Sequence, residues 1–207
     1  KAELDLDKHI ELKEYCDEVG IGFMSSVFSI EDAKLLKQVV TDYVKIPSFE
    51  SRNRELIHYC LKHFEHLIIS TGTSTYDEVR SIAVSLPPER YTLLHCVSSY
   101  PCNFDIVNLP RMEHLKNLSN SIGFSDHSQG IESSVLSLGM GVNFIEKHFT
   151  TDNDLPGRDN KFAVLPSDMK RLSDYIKISK KVMNDKGVDY QDCELDSREN
   201  YTGRFDG

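Results

Sequence analysis

The 207-residue sequence is 39% hydrophobic and 28% charged, and 24 Lys plus Arg against 33 Asp plus Glu leave a net charge of −9. That length suits one large domain or two small ones, and the acidic balance argues against a nucleic-acid surface. No run approaches the ~18 apolar residues of a membrane helix, and the charged opening KAELDLDKHIELKEY lacks the apolar region of a signal peptide, so a cytoplasmic protein without membrane attachment is expected.

Ile10, Leu12, Tyr15 and Val19 recur among charges between residues 7 and 19, an amphipathic helical pattern that Gly20 stops. Ile21-Gly22-Phe23-Met24 reads as a strand opening onto Ser25 and Ser26. Ser29 and Asp32 form a capping-box pattern for a helix through Val40. Tyr43-Val44-Lys45-Ile46 is the next strand, leading into Pro47-Ser48-Phe49-Glu50. A helix from about Asn53 to Phe64 places Leu56, Ile57, Cys60 and Leu61 at helical spacing. Leu67-Ile68-Ile69 is a third strand, ending in Ser70-Thr71-Gly72; Thr75 and Glu78 then cap a helix to about Leu86. Tyr91 to Cys96 is a fourth strand, followed by a looser helix with Met112, Leu115 and Leu118 on one face. Further strands begin near Ser121 and Asn143 with a helix between them, and a last helix covers Ser167 to Met183. Beyond Gly187 the chain is polar and aperiodic, expected to be extended or partly disordered.

Regular alternation of strand and helix implies a parallel sheet with helical crossovers, and the short apolar runs suit strands buried on both faces. A glycine-rich dinucleotide turn is absent. Instead, polar residues end almost every strand: Ser25 and Ser26, Lys45 and Ser48, Ser70 and Thr71, His95 and Ser98, His127, and His148. A (β/α)8 TIM barrel gathers such ends on one face. Six units are visible, so the expectation is a barrel missing its first two βα units, with residues 1–187 forming strands 3 to 8 and 188–207 a polar tail or linker.

Apolar residues lead into both Gly123-Phe124-Ser125-Asp126-His127 and Ile145-Glu146-Lys147-His148, so His127 and His148 fall at strand ends. On parallel neighbours about 4.8 Å apart, both imidazoles reach one ion; the plainer reading is that each caps its own loop. Glu146 or Asp126 would then orient an imidazole or bind a water. Lys45 ends a buried strand, where an ammonium is costly without an anion; phosphate, carboxylate or a Schiff-base substrate would answer that cost. Lys147 alternates with His148 and should face the helix layer, in a surface salt bridge. The five cysteines (Cys16, Cys60, Cys96, Cys102 and Cys193) lack CxxC spacing and read as reduced thiols, with Cys96 a small buried hydrophobe. The helix dipole accounts for His58, His63 and His66. Leu155-Pro156-Gly157-Arg158-Asp159 reads as a turn just past the His148 strand, making Asp159 a candidate substrate contact.

Five ordered motifs, Lys45-Ile46-Pro47-Ser48-Phe49-Glu50, Ser70-Thr71-Gly72, Leu94-His95-Cys96-Val97-Ser98-Ser99-Tyr100-Pro101, Gly123-Phe124-Ser125-Asp126-His127 and Glu146-Lys147-His148-Phe149-Thr150, resemble those of the sialic acid synthase family. That family includes legionaminic, pseudaminic and spore-coat polysaccharide synthases. The resemblance implies a (β/α)8 barrel condensing phosphoenolpyruvate with an N-acetylated hexosamine such as N-acetylmannosamine, giving a nine-carbon 2-keto-3-deoxy acid and phosphate. It further implies a Mn2+ or Mg2+ ion on His127 and His148. Ser26, Lys45, Ser48, Ser98, Tyr100 and Ser125 would grip phosphoenolpyruvate, Asp159 the sugar, and Glu50 and Glu146 would stand beside the reacting centre. The family's KIGSGE-type motif is KIPSFE here, and its homodimers exchange an antifreeze-like C-terminal domain that this sequence does not contain. A class I aldolase acting through Lys45 and a non-catalytic truncated barrel are the alternatives.

Overall fold

The computed structural model describes residues 4–203. Five short strands, Tyr43–Ile46 (β1), His66–Ser70 (β2), Tyr91–Cys96 (β3), Ile122–Asp126 (β4) and Phe144–Lys147 (β5), pair in sequence order and all in parallel. Helices Arg54–His63 (α3), Tyr76–Ala83 (α4), Arg111–Leu115 (α5) and Glu132–Leu138 (α6) make the crossovers, preceded by Leu6–Val19 (α1) and Ile30–Leu36 (α2) and followed by Pro166–Val182 (α7) and Leu195–Tyr201 (α8). Local chemistry sets several of these starts. Asn53 caps α3 through the Leu56 N–H at 3.1 Å, and Thr75 with Glu78 forms the full capping box of α4. At α2 half of the expected box is present: Ser29 accepts from the Asp32 N–H, but the Asp32 carboxylate takes the Phe28 N–H instead.

Strand alternation divides the sheet into two faces. Val44, Ile46, Leu67, Ile69, Tyr91, Leu93, Ile122 and Phe124 join Leu56, Ile57, Cys60, Val79, Ile82, Met112 and Leu115 of α3, α4 and α5 in one buried core. The registers Lys45↔Ile68, Ser70↔Leu94, Cys96↔Ser125 and Ser125↔Glu146 line up the other face. In a flat sheet, four strand steps of about 4.8 Å would hold β1 and β5 roughly 19 Å apart. Yet Lys45 Nζ lies 3.0 Å from Glu146 Oε1, and the Tyr43 and Phe144 rings are 6.1 Å apart between centroids. The sheet is therefore strongly curled, a half-barrel whose concave face brings its two outer strands together. Gly123 permits that closure: a Cβ there would meet Leu94 Cδ2 at 2.4 Å and the Phe144 carbonyl at 2.6 Å.

Three expectations change. The strand at Ile21–Met24 is not formed; extended chain touches β1 at a single Ser26–Lys45 bridge, with Lys45 N–H donating to the Ser25 carbonyl and Val27 N–H to that of Lys45. Phe23 packs against the core, but Ile21 and Met24 are 60% and 41% exposed, so burial does not hold the segment in a ladder. The α2 helix ends at Leu36 rather than at Val40, in turns. The polar tail forms the exposed helix α8, preceded by a 3-10 turn at Asp192–Glu194 that a Gln191–Glu194 capping box starts, and accompanied by Arg198 over the Tyr190 ring at 4.5 Å. Local pairing of this kind carries a helix without a buried face. Among the described residues no helix is long and apolar enough to cross a membrane.

Candidate active site

Residues of one strand parity reach the concave face. Lys45 of β1 is buried, and its ammonium meets the Glu146 carboxylate of β5. Ser125 of β4 donates to Glu146 Oε2 at 2.5 Å. Burial works against the charged form of Glu146, but Lys45 and the Ser125 hydroxyl outweigh it and hold the carboxyl below its ordinary range.

A second group lies at the ends of β1, β2 and β3. The Gly72 N–H donates to Ser48 Oγ at 3.1 Å, and Ser48 Oγ lies 3.5 Å from Cys96 Sγ. Cys96 Sγ is also 3.9 Å from Ser98 Oγ and 3.8 Å from His127 Nδ1. A side chain on Gly72 would run into Ser98, Ser48 and Cys96 at 3.0 Å or less, so glycine is what lets these polar ends converge. Ser70, on the same strand parity as Ile68, is 2% exposed, and its hydroxyl has no hydrogen-bond partner among the described residues. A buried, unpartnered hydroxyl on a polar concave face is poised for a ligand.

His127 and His148 follow Ser125 and Glu146 at the strand ends, as alternation requires, with ring centroids 5.4 Å apart. His127 Nδ1 donates to the Val97 carbonyl at 2.8 Å, which leaves Nε2 with its lone pair free. Burial lowers the His127 pKa, but the Cys96 sulfur, the Val97 carbonyl and Glu146 raise it overall; burial and the neighbouring His127 lower that of His148. Tyr100 packs on His127 at 4.2 Å and on His148 at 6.0 Å, with Phe162 behind His148 at 5.1 Å. Asp159 Oδ2 is 3.8 Å from His148 Nδ1 and half exposed. Ser125, His127, Glu146, Lys147 and His148 line a cavity of about 210 Å³, although the Lys147 ammonium points the other way, to Asp126.

The residues fit a divalent ion in part. The pair has the right separation, and His127 has its tautomer fixed by the Val97 carbonyl, as metal-ligating histidines usually have. Among the described residues no third His, Cys, Asp or Glu completes a ligand cluster, so the remaining positions would fall to water or substrate.

Lys45, Ser48, Ser98, Tyr100, Ser125, Glu146, His127, His148 and Asp159 thus gather around one concavity. Ser26 sits exposed at its rim, its backbone paired with Lys45. Glu50 accepts from Asn53 Nδ2 at 2.9 Å at the start of α3, a local contact outside the hydrogen-bonded cluster. His95 does not point inward: it is buried in the helix layer, stacked on Phe124 at 5.7 Å, with Nε2 bonded to the Val107 carbonyl at 2.6 Å. Cys96 takes the inward position, because adjacent strand residues face opposite sides. It is buried as expected, but among polar groups rather than as a simple hydrophobe. Lys147 enters the helix layer as expected, but its partner Asp126 is fully enclosed, with side-chain exposures of 2% and 0%; the surface salt bridge is a buried one. The sequence places Ser70 among the polar strand ends and Gly72 in the Ser70-Thr71-Gly72 motif but gives neither a role of its own; the Ile68–Ser70 alternation was the available signal for Ser70.

A model of the NeuB family matches residues 1–187. N,N'-diacetyllegionaminic acid synthase of Campylobacter jejuni is 35% identical over 191 residues, covering 89% of this chain and 57% of that protein. The pseudaminic acid synthase of the same organism is 29% identical, over 95% of this chain and 59% of that one. The chain therefore spans little more than half the length of these relatives. The crystal structure of N-acetylneuraminic acid (sialic acid) synthetase from Leptospira borgpetersenii, in complex with citrate, superposes with a TM-score of 0.88 at 30% identity, covering 95% of this chain and 70% of that one. A phospho-2-dehydro-3-deoxyheptonate aldolase from Thermotoga maritima shares the fold, with a TM-score of 0.74 at 14% identity.

Proposed function

This chain belongs to the NeuB family, and on that premise we propose that it carries the catalytic barrel of a sialic-acid-type synthase. The reaction joins phosphoenolpyruvate to the open-chain aldehyde of an N-acetylated hexosamine, releasing a nine-carbon 2-keto-3-deoxy acid and phosphate. In this reading residues 1–187 cover strands 3 to 8 of the barrel, the first of them reduced to extended chain bridged to β1 at Ser26, residues 188–207 lead toward a further domain, and the whole protein is a cytoplasmic homodimer. The observation that supports it most is the convergence of Lys45, Ser48, Ser70 and Ser98 with Glu146 and the His127–His148 pair on one concave face.

The chemistry asks for three things. An anion with two acidic groups needs a cation and directional donors; Lys45 supplies the first, and the Ser48, Ser70 and Ser98 hydroxyls the second. The aldehyde must be made electrophilic: His127 and His148 would hold a divalent ion, which would supply Lewis acidity toward an oxygen. The enol carbon of phosphoenolpyruvate then bonds to the aldehyde carbon, and the aldehyde oxygen takes a proton to become a hydroxyl. Water adds to the carbon that bore the phosphate ester, and departure of phosphate leaves the keto group. Positive charge develops at that carbon, and an ionised Glu146 beside it stabilises the charge and can take the proton of the entering water. Tyr100 walls the histidines, Asp159 faces the sugar from the solvent side, Ser26 closes the rim, and Glu50 acts only if substrate draws it from Asn53.

Phosphate release should require phosphoenolpyruvate, an N-acetylated hexosamine and Mn2+ or Mg2+ together, and His127→Ala should abolish it. Full turnover by His127→Ala, or turnover without metal, would refute the metal role. Lys45 is engaged by a carboxylate at 3.0 Å, unlike the free amine a Schiff base needs; a borohydride-trapped pyruvate adduct at Lys45 would reverse that judgement.

A further inference from the structure

Behind the concave face, the strand positions just before the two histidines hold a closed polar knot. Asp126 and Lys147 are register partners on β4 and β5. They point together into the helix layer, with Lys147 Nζ 3.0 Å from Asp126 Oδ2 and side-chain exposures of 2% and 0%. Asp126 Oδ1 accepts from the Ser128 N–H at 2.8 Å and from Ser128 Oγ at 2.7 Å, and Oδ2 from Ser134 Oγ of α6 at 2.6 Å. Lys147 Nζ also donates to the Ser128 carbonyl. The knot thus ties the backbone on both sides of His127 to the residue before His148. The His127 carbonyl itself accepts from the Cys102 N–H at 2.9 Å, which closes the loop from the other side.

We infer that the buried Asp126–Lys147 pair is a positioning device that sets the separation and orientation of His127 and His148. The pair touches neither imidazole and needs no access to the cavity. Its action is geometric: each partner is one peptide from a histidine, and their bond spans the two strands that carry them. Desolvating two charges is a poor way to gain stability, whereas partners outside the ligand shell typically govern metal affinity by about 10- to 100-fold. The metal readout rests on the metal reading proposed above, so the test separates the two.

The test uses the full chain and Mn2+ alone, with free ion followed by electron paramagnetic resonance. Asp126→Asn/Lys147→Met removes both charges at nearly constant volume and leaves no unpaired ion. The expected result is a double variant that melts near the wild-type temperature yet binds Mn2+ roughly 10- to 100-fold more weakly, with displaced His127 and His148 imidazole resonances in the metal-free protein. Folded double variant with affinity within twofold of wild type and unmoved imidazole resonances would overturn the inference. If the wild type fails to bind Mn2+, or His127→Ala binds it equally well, the metal reading has failed instead, and the metal-free imidazole spectra alone decide the positioning role. Should the double variant not fold, Ser134→Ala replaces it; removing that one bond to Asp126 should move the same resonances, and an unchanged spectrum would count against the inference.

Discussion

Gly72→Ala tests the anion-binding side of the cavity at its tightest point. The added Cβ would lie 2.3 Å from Ser98 Oγ, 2.7 Å from Ser48 Oγ and 3.0 Å from Cys96 Sγ, against about 3.5–4.0 Å for relaxed contacts of carbon. Ser98 must therefore move by about 1 Å or rotate away, and Ser48 must shift from the Gly72 N–H that holds it at 3.1 Å. Losing one hydrogen bond to a charged phosphate costs about 1.5–3 kcal/mol, which at about 1.4 kcal/mol per decade raises the KM for phosphoenolpyruvate roughly 10- to 150-fold. Crowding costs stability too, about 1–3 kcal/mol, so a melting curve must accompany the kinetics. Initial rates of phosphate release at varied phosphoenolpyruvate and fixed sugar give the constant. Ser48→Ala is the control, losing the hydroxyl without the crowding, and should raise KM with less loss of stability. A well-folded Gly72→Ala enzyme with wild-type KM would refute both the placement of the anion and the reason for glycine here.

The two lysines should separate by burial of their partners. Lys147→Met leaves Asp126 charged in a fully enclosed site and should cost about 3–5 kcal/mol. Lys45→Met should cost less, about 1–3 kcal/mol, because Glu146 is 40% exposed, while losing phosphoenolpyruvate binding; chemical denaturation of both variants checks the order. Burial pushes the Cys60 thiol up to about 12, so in the native protein at pH 8 iodoacetamide should modify the exposed Cys193 and spare Cys60 until denaturant is added, as read by mass spectrometry. Burial lowers the pKa of His95 from 6.5, with the Val107 carbonyl only partly offsetting it. The native imidazole then stays neutral where the unfolded one protonates, the unfolded chain binds more protons, and stability falls as pH drops below about 6.5. His95→Phe should flatten that part of the stability curve in urea titrations; an unchanged slope would contradict the assignment.

How much of this was legible in the sequence depended on whether a feature was local. β1 and β3 fall at the bounds their apolar runs predict, since both faces of those strands are buried. The capping box of α4 and the stop of α1 at Gly20 are encoded within a few residues. The Ile21–Met24 segment was misread because pairing depends on neighbours across the sheet, and only one bridge to β1 forms. His95 was misplaced for a related reason: a polar residue at a strand end belongs to the cavity only if its parity matches. Ser70 and Cys96 have that parity; Ser70 stood among the polar strand ends, whereas a cysteine near a turn carries no signal of its own. The Asp126–Lys147 contact joins residues from different strands and could be found only once the register was known.

That register explains why the last two strands carry so many polar residues at all. Along β4 and beyond, Ser125 and His127 face the cavity while Asp126 faces the helices; along β5, Glu146 and His148 face the cavity while Lys147 faces the helices. A slip of β5 by one residue would reverse every one of its assignments, sending Glu146 toward the apolar layer and Lys147 into the cavity. Asp126 would lose its counter-ion in an enclosed site, and Lys45 would lose Glu146. Both errors leave buried charge unpaired, the costliest kind of mispairing. Apolar residues alone would penalise the slip less, since Phe144 and Ile145 are both only partly buried and differ little in polarity. The two ion pairs, one on each face, therefore specify the same pairing independently, and the histidines inherit their common side of the sheet from it.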